Sequence, residues 1–337
     1  MSGIAEAPEA PRLTVGPQVR RSSTLRAVLI RLAWSIPTLI FITLVTFIIG
    51  ELAPGDAATV RAGEKGSLEY IQQLREQMGL TRPPAVRYVE FVNGAAVLDF
   101  GESWYPPYRP VKETLVAGIY QTGRLALLAI ILASIFGVLL GCIAAVGHNR
   151  WPDRVAVTFS TLGICIPNFV LAPVLAYFFT IKMGVLPLTW EDNPSESILY
   201  YLALPVLILS LRPAAVITRL TRAAMIDTLS QDFIRTAFAK GVPYWKVIFK
   251  HAFRNSLVPI ITAIGTTLGF LLTGSFIIES FFRIPGLGLK SVNAIYQGDY
   301  PVVQGTVLLF AVLFIFVNLI VDILLPLIDP RIRDQSA

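Results

Sequence analysis

The sequence predicts an all-α integral membrane protein with six transmembrane helices and a small external lobe. Two observations carry this prediction. The 337 residues are 54% hydrophobic and only 15% charged, with a mean hydropathy of +0.65, whereas soluble domains carry roughly 25% charged residues. The apolar residues also fall into six stretches, each long enough to cross the roughly 30 Å hydrocarbon core of a bilayer as a helix.

These six stretches are the predicted spans. In chain order they are Val28–Gly50, Leu125–Val146, Val155–Ile181, Leu199–Leu220, Leu257–Phe281 and Val302–Ile328. The third contains Pro167 and Pro173, and the fourth contains Arg212 followed by Pro213. Proline is tolerated in a spanning helix when neighbouring helices satisfy the freed backbone groups, so these residues predict kinked helices packed against others.

Two further segments lie outside the spans. Residues 1–25 are rich in Pro, Ala and Arg and lack the apolar run of a signal peptide, which predicts a disordered cytoplasmic tail before a transmembrane domain at 26–337. The segment 51–118 is long enough to fold as an external lobe. Within it, Ser67 can cap a helix that Gly79 ends. The face predicted to be apolar in this helix contains Leu68, Ile71, Leu74 and Met78.

Basic residues in the connections predict the orientation. Given six spans, the basic segments all fall on one side of the membrane, and the loop Gly184–Ile198 on the other side has no Lys or Arg. The basic residues are Arg12, Arg20, Arg21, Arg26, Arg150, Arg154, Arg222, Arg235, Lys240, Lys246, Lys250, Arg254, Arg331 and Arg333, and the loop has Glu191, Asp192 and Glu196. Because cytoplasmic loops carry the excess of Lys and Arg, both termini are expected to be cytoplasmic, in a cell (inner or plasma) membrane. The net charge of +6 is divided among these segments, so no nucleic-acid partner is expected.

The segment 221–256, between spans four and five, predicts two short cytoplasmic helices separated at Gly241. Its second half places one apolar and one basic set at helical spacing. The apolar set is Trp245, Ile248, Phe249, Ala252 and Phe253, and the basic set is Lys246, Lys250 and Arg254. Two interpretations remain open: a helix lying against lipid headgroups, or a docking element for a cytoplasmic partner in which Gly241 permits a sharp turn.

The loop also resembles the coupling loop of ABC importer permeases in the oligopeptide/dipeptide/nickel branch. The resemblance runs in order from about residue 25 to 333 and indicates the first of two permease subunits, with the type I importer fold. The segments that carry it are Asp232–Gly241 (DFIRTAFAKG), Val242–Asn255, Leu52–Asp56 (LAPGD), Leu98–Ser103 (LDFGES), Phe281–Gly288 (FFRIPGLG), Asp299–Gly305 and Asp329–Arg333. Arg235, Thr236 and Ala237 stand where the wider family has Glu-Ala-Ala, which disfavours sugar and amino-acid importers.

The resemblance implies the partners and the site. The partners are a second homologous permease, two ATPase subunits, an external substrate-binding protein and a peptide substrate, all working at the lipid membrane. The implied ATPase-coupling residues are Asp232, Arg235, Thr236, Ala237, Lys240, Gly241, Pro243 and Trp245. ATP and Mg²⁺ would bind the ATPase subunits, so no catalytic residue, metal site or cofactor is expected in this chain. The segment Gly286–Ser291 has the wrong spacing for a phosphate-binding loop and is expected to be a turn.

Ionisable residues within the spans are candidates for function because burying them in a membrane is costly. Arg212 lies well inside span four, where it either reaches a polar neighbour or, as a hypothesis, lines the pathway and meets a substrate carboxylate. Asp322 is expected to tie two helices together. Glu279 is expected to lie at an ordinary interfacial position near the outer end of span five.

Other functions remain as alternatives. The branch also contains importers of nickel and metal chelates. A secondary transporter driven by an ion gradient would need polar groups near the midplane on broken helices, and the spans contain few. An intramembrane enzyme is disfavoured because both histidines, His148 and His251, fall in predicted loops.

Overall fold

The computed structural model describes residues 22–52, 56–63, 66–191 and 197–328, and these residues form α-helices without a β-strand. The long helices are α1 (Ser22–Leu52), α5 (Val111–Val146), α8 (Ile198–Leu229), α11 (Arg254–Gly274) and α14 (Tyr300–Ile328). The shorter helices are α2 (Ala57–Ala62), α3 (Leu68–Gln77), α4 (Pro84–Ala96), α6 (Trp151–Cys165), α7 (Asn168–Ala176), α9 (Asp232–Ala239), α10 (Tyr244–Lys246), α12 (Phe276–Phe281) and α13 (Leu287–Gln297). Two π-helical turns, Tyr177–Lys182 and Val247–Phe253, follow α7 and α10.

Among the described residues, five continuous helical stretches are long and apolar enough to cross a membrane. They are Val28–Leu52, Val111–Val146, Ile198–Leu229, Tyr244–Gly274 and Tyr300–Leu325. Helix α6 and the stretch of α7 with its π turn are long and apolar enough only when taken together, and they are bent by 100° at the break between them. Five of the six predicted spans are therefore present as continuous helices, and the third corresponds to this bent pair.

The break in the third span lies at Pro167. A residue before proline is disfavoured in the helical conformation, and Ile166 is extended at φ −86° and ψ 117°. The prediction of a kink is confirmed here. At Pro213 the chain behaves differently, because α8 continues through both Pro205 and Pro213 as one helix.

The fifth span begins earlier than predicted. The prediction placed it at Leu257–Phe281, but one helical stretch runs from Tyr244 to Gly274 and α12 follows separately. The second half of the predicted loop 221–256 therefore continues directly into the span. No helix breaker separates the two, so the backbone hydrogen bonds continue from one into the other.

The centre of the bundle is the pair formed by α5 and α8. Small residues at every fourth position of α5 are buried and let the two backbones approach closely. This stripe is Ala129, Ala133, Gly137, Gly141 and Ala145. A Cβ atom at Gly141 would lie 2.5 Å from the Cβ of Thr221, so the contact requires glycine.

The bundle has two distinct ends. At the end called here the loop end, the turn between α5 and α6 and the segment around α9 pack against the C-terminal part of α8. At the opposite lobe end, α13 and the start of α14 pack against the start of α5. The basic residues of 150–154 and 222–254 all lie at the loop end.

The segment 51–118 contains α2, α3 and α4 and lies at the lobe end. Ser67 Oγ accepts a hydrogen bond from Tyr70 N–H at 3.2 Å, and Gly79 follows the end of α3 with φ +68°, which confirms both predicted ends of this helix. Of its predicted apolar face only Leu74 is buried, and Leu68 is exposed. Arg87 of α4 pairs with Glu51 of α1 at 2.6 Å.

An ion pair between Arg31 and Asp322 joins α1 to α14, which confirms the prediction that Asp322 ties two helices. Other sequence signals lie outside the described residues. These are the tail residues Arg12, Arg20 and Arg21, most of Leu52–Asp56, the acidic Asp192 and Glu196, and the segment Asp329–Arg333.

Candidate coupling surface and solute cleft

The helix α9 forms the first part of the candidate coupling surface. It is amphipathic: Ile234 and Ala237 are buried, while Asp232, Arg235 and Thr236 are exposed. The buried side joins a cluster that holds α9 onto the ends of α5 and α8. Its buried members are Ala145, Met225, Ile234, Ala237, Val247, Ile248 and Ala252. Arg235 and Asp232 lie 3.6 Å apart, but both are solvent-exposed, so this pair adds little stability.

Gly241 closes α9 with a Schellman motif. Its N–H donates to Phe238 C=O at 2.9 Å, and the Val242 N–H donates to Ala237 C=O at 3.2 Å, which is the hydrogen-bond pattern of that motif. Gly241 has φ +75°, while no atom lies within 4 Å of where its Cβ would be. The glycine is therefore required by the backbone conformation and not by lack of space.

Four exposed aromatic residues flank this turn, one in α9 before it and three after it. We call Phe238, Tyr244, Trp245 and Phe249 the aromatic surface; their exposed fractions are 43%, 47%, 65% and 60%. Tyr244 stacks on Phe238 with ring centroids 6.2 Å apart, and Trp245 stacks on Phe249 at 5.9 Å. A contiguous exposed patch of this kind is typical of a surface that contacts a protein partner or a membrane.

The aromatic surface corrects one sequence prediction. Trp245 and Phe249 were expected to share an apolar face with Ile248 and Ala252, but Ile248 and Ala252 are buried while the two aromatic residues are exposed. The π turn at Val247–Phe253 accounts for the difference, because its i to i+5 pattern rotates side chains away from α-helical spacing.

A charged clamp missed by sequence reasoning supports the loop end. Arg222 of α8 donates to Asp153 of α6 through Nε at 2.5 Å and Nη2 at 2.8 Å, and the Asn149 N–H donates to the same carboxylate at 2.9 Å. His148 Nδ1 lies 3.4 Å from it. The Asp153 side chain is only 5% exposed. The clamp fixes the turn between α5 and α6 to the helix that leads into α9.

A second feature is a cleft of about 740 Å³ between α8 and α11, next to the break before α7. Arg212 lines it from α8, and Asn168 lines it at the first residue of α7. The side of α11 contributes Thr262, Thr266, Thr267 and Thr273. Among the described residues no carboxylate forms an ion pair with Arg212.

At the lobe end, Glu279 is fully buried, so the expectation of ordinary interfacial placement was wrong. Its carboxylate accepts hydrogen bonds from Thr122 Oγ1 at 2.8 Å, Ser275 Oγ at 2.6 Å and Gly288 N–H at 2.7 Å. The segment Gly286–Ser291, expected to be a turn, instead begins α13. The amide groups at its start donate to Glu279. A Cβ atom would clash with Glu279 Oε2 at Gly286 and with Phe276 Cα at Gly288, so this close packing requires both glycines.

Asp299 holds the lobe against the start of α14. Ser103 Oγ donates to its carboxylate at 2.5 Å, and the Trp104 N–H donates at 3.0 Å. Burial raises the pKa of Asp299, and these hydrogen bonds oppose that effect only in part. Nearby, burial lowers the pKa of Lys290, whose Nζ donates to Thr114 C=O at 3.0 Å.

The apolar spans, the exposed aromatic surface at one end and the cleft within the bundle fit a membrane subunit of a transport system. The chain belongs to the family of binding-protein-dependent transport system inner membrane components, which matches residues 137–334. The N-terminal region of such membrane components matches residues 24–103. The chain is therefore a multi-pass inner membrane protein and the permease subunit of an ABC importer, whose ATP hydrolysis lies in separate subunits.

The relatives are similar over nearly their whole length. The glutathione transport system permease protein GsiC of Escherichia coli K12 is 39% identical over 92% of this chain and 99% of its own. The protein of that name from Salmonella choleraesuis is 40% identical over the same shares. Among solved structures, a chain of the inward-facing MetNI methionine ABC transporter is 19% identical, with a TM-score of 0.48, over 66% of this chain and 96% of that one.

Proposed function

We propose that this chain is one of two homologous permease subunits in an importer of di- and oligopeptides, glutathione among them. The relatives that are 39–40% identical over 92% of the chain are named as glutathione transport permeases, and glutathione is a tripeptide. The second permease subunit would complete the pathway, and an external binding protein would deliver the peptide at the lobe end.

The observation that carries the coupling part of the proposal is the aromatic surface beside Gly241. In the proposed orientation, with both termini cytoplasmic, the loop end faces the ATPase subunits. The exposed side of α9 and the aromatic surface enter a groove of the ATPase, with Asp232, Arg235, Thr236, Lys240, Gly241, Pro243 and Trp245 at the contact and Ala237 holding α9 from behind. ATP-driven closure of the ATPase pair then switches the permease between two packings.

The coupling surface is tested by recovery of the ATPase with the purified permease. Trp245→Ala and Tyr244→Ala should lower the amount of ATPase recovered in mild detergent, because Trp and Tyr are enriched among the interface hot spots, where truncation to Ala costs about 2 kcal/mol or more. Tyr296→Ala is the matched control, since Tyr296 is exposed on α13 at the lobe end. Equal recovery with all three variants would contradict the coupling assignment.

The substrate class is tested by uptake into proteoliposomes that contain the complete transporter and its binding protein. Labelled glutathione and tri-alanine should be taken up only with ATP, and ⁶³Ni²⁺ should not. Nickel uptake without peptide uptake would favour the metal importers of the same branch. Peptide uptake driven by a proton gradient without ATP would favour a secondary transporter.

A further inference from the structure

We propose that the cleft between α8 and α11 is a binding site in the translocation pathway, and that Arg212 binds the carboxylate of the peptide there. This inference rests on the proposed function, because it assumes that peptides pass through the chain. It adds the residues that recognise them and the part of the peptide that they contact.

The position of Arg212 is the first argument. α8 has 32 residues, so it is about 48 Å long, and Arg212 lies about 21 Å from its start. That depth falls within the hydrocarbon core, where an arginine is costly unless it faces a partner or a polar cavity. Arg212 lines a cleft of about 740 Å³, and among the described residues no acidic side chain pairs with it.

The polar atoms around Arg212 are the second argument. The Oδ1 atom of Asn168 is buried and has no hydrogen-bond partner among the described residues. Thr262 and Thr266 donate their hydroxyl protons to carbonyls one turn earlier in α11, at 2.9 and 2.8 Å. Their oxygens, like Asn168 Oδ1, are therefore left as acceptors.

The cleft thus combines one cationic donor group with several acceptors in a mostly apolar wall. A guanidinium binds a carboxylate with two parallel hydrogen bonds, and the acceptors suit the N–H groups of peptide bonds. This pattern matches the C-terminal part of a peptide. A bare metal cation would instead be repelled by Arg212.

The test uses uptake of tri-alanine and tri-alanine amide by the complete transporter in proteoliposomes. Arg212→Lys and Arg212→Met have side chains of similar length and differ in charge. Arg219→Met is the matched control, because Arg219 is exposed on α8 two turns further on and does not line the cleft. Binding of both peptides to the binding protein is titrated separately, and uptake is compared at saturation and at equal amounts of membrane-inserted permease.

We expect Arg212→Met to lower uptake of the free-acid peptide about tenfold. A change of this size is expected when one hydrogen-bonded charge contact is lost. Arg212→Lys should fall between wild type and Arg212→Met, because it keeps the charge but loses the paired hydrogen bonds of the guanidinium, and Arg219→Met should match wild type. Uptake of the amide should change much less in Arg212→Met, because the amide lacks the carboxylate.

Three results would overturn the inference. Equal uptake by the Lys and Met variants would show that the charge is not used. Equal losses for the free acid and the amide would show that the carboxylate is not recognised. Loss of the second permease subunit from the Arg212→Met complex would assign the arginine to subunit assembly. If wild type takes up neither peptide nor glutathione, the proposed function fails as well, and the wild-type measurement alone identifies that case.

Discussion

At the scale of single residues, the buried carboxylate of Glu279 connects three helices. It receives donors from α5, from the residue before α12 and from the start of α13. Glu279→Gln keeps the shape but replaces one acceptor oxygen by a donor group that faces N–H and O–H donors. We expect a loss of about 1–3 kcal/mol of stability, seen as a lower thermal midpoint of the detergent-solubilised protein. Glu113→Gln, at an exposed position of α5, should leave the midpoint unchanged.

Gly241 gives a second residue-scale prediction, because its open surroundings separate backbone strain from steric clash. A non-glycine residue in the left-handed region costs roughly 1–2 kcal/mol, Asn less, and a β-branched residue more. ATP-dependent uptake and ATPase recovery should therefore fall in the order Gly, Asn, Ala, Val. Gly123→Ala is the control, since that helical glycine of α5 also has open space around it. Tolerance of Val at 241 would mean that the sharp turn is not needed for coupling.

At the scale of elements, the lobe is held to α14 by Asp299, and this contact should depend on pH. Burial raises the pKa of Asp299 above its ordinary value of 3.8. At pH values between 3.8 and the raised pKa, the folded state binds more protons than the unfolded state. The contribution of Asp299 to stability therefore falls as pH rises. Wild type should therefore gain stability relative to Asp299→Asn when the pH is lowered from 7 to 4. Thermal midpoints of both proteins check this, with Asp99→Asn, at an exposed carboxylate of the lobe, as the control.

How far the sequence predicts each element depends on whether its cause is local. The turn at Gly241 and both ends of α3 follow from residues within one or two helical turns, and the sequence predicts them. The burial of Glu279 depends on Thr122, which is 157 positions away. The clamp between Asp153 and Arg222 joins residues 69 positions apart. Such pairings are set by how helices pack, and helical periodicity holds no information about them.

The two faces of the segment after Gly241 illustrate the same limit at closer range. An α-helical projection groups Trp245 with Ile248, and it fails because a π turn begins at Val247. Apolar periodicity also predicted the fifth span, with a start at Leu257. The helix begins at Tyr244 instead, because no helix-breaking residue lies between Tyr244 and Leu257. Composition and periodicity predict that helices exist, whereas their bends and junctions depend on tertiary packing.

At the scale of the whole molecule, the two ends of the bundle are connected by the continuous helices α5 and α8. The close contact between α5 and α8 along the small-residue stripe makes them one unit from the lobe end to the loop end. Arg222 clamps this unit to α6, and the buried cluster behind α9 joins it to the coupling surface. Arg212 lies on the same continuous helix α8 that ends two residues before α9.

The orientation of this unit is the last prediction, and cysteine labelling tests it. In a chain with Cys142 and Cys165 replaced by Ala, Lys240→Cys and Asn293→Cys place one exposed thiol at the loop end and one at the lobe end. A membrane-impermeant maleimide should label position 293 in right-side-out vesicles and position 240 only in inside-out vesicles, because the basic connections remain in the cytoplasm. Labelling of both from one side would contradict an odd number of crossings between α9 and α13, and the reversed pattern would overturn the orientation.

The same labelled positions also test the contact with the ATPase. Bound ATPase should protect position 240 from the maleimide, whereas a loop end that lay only against lipid headgroups would react equally with and without bound ATPase.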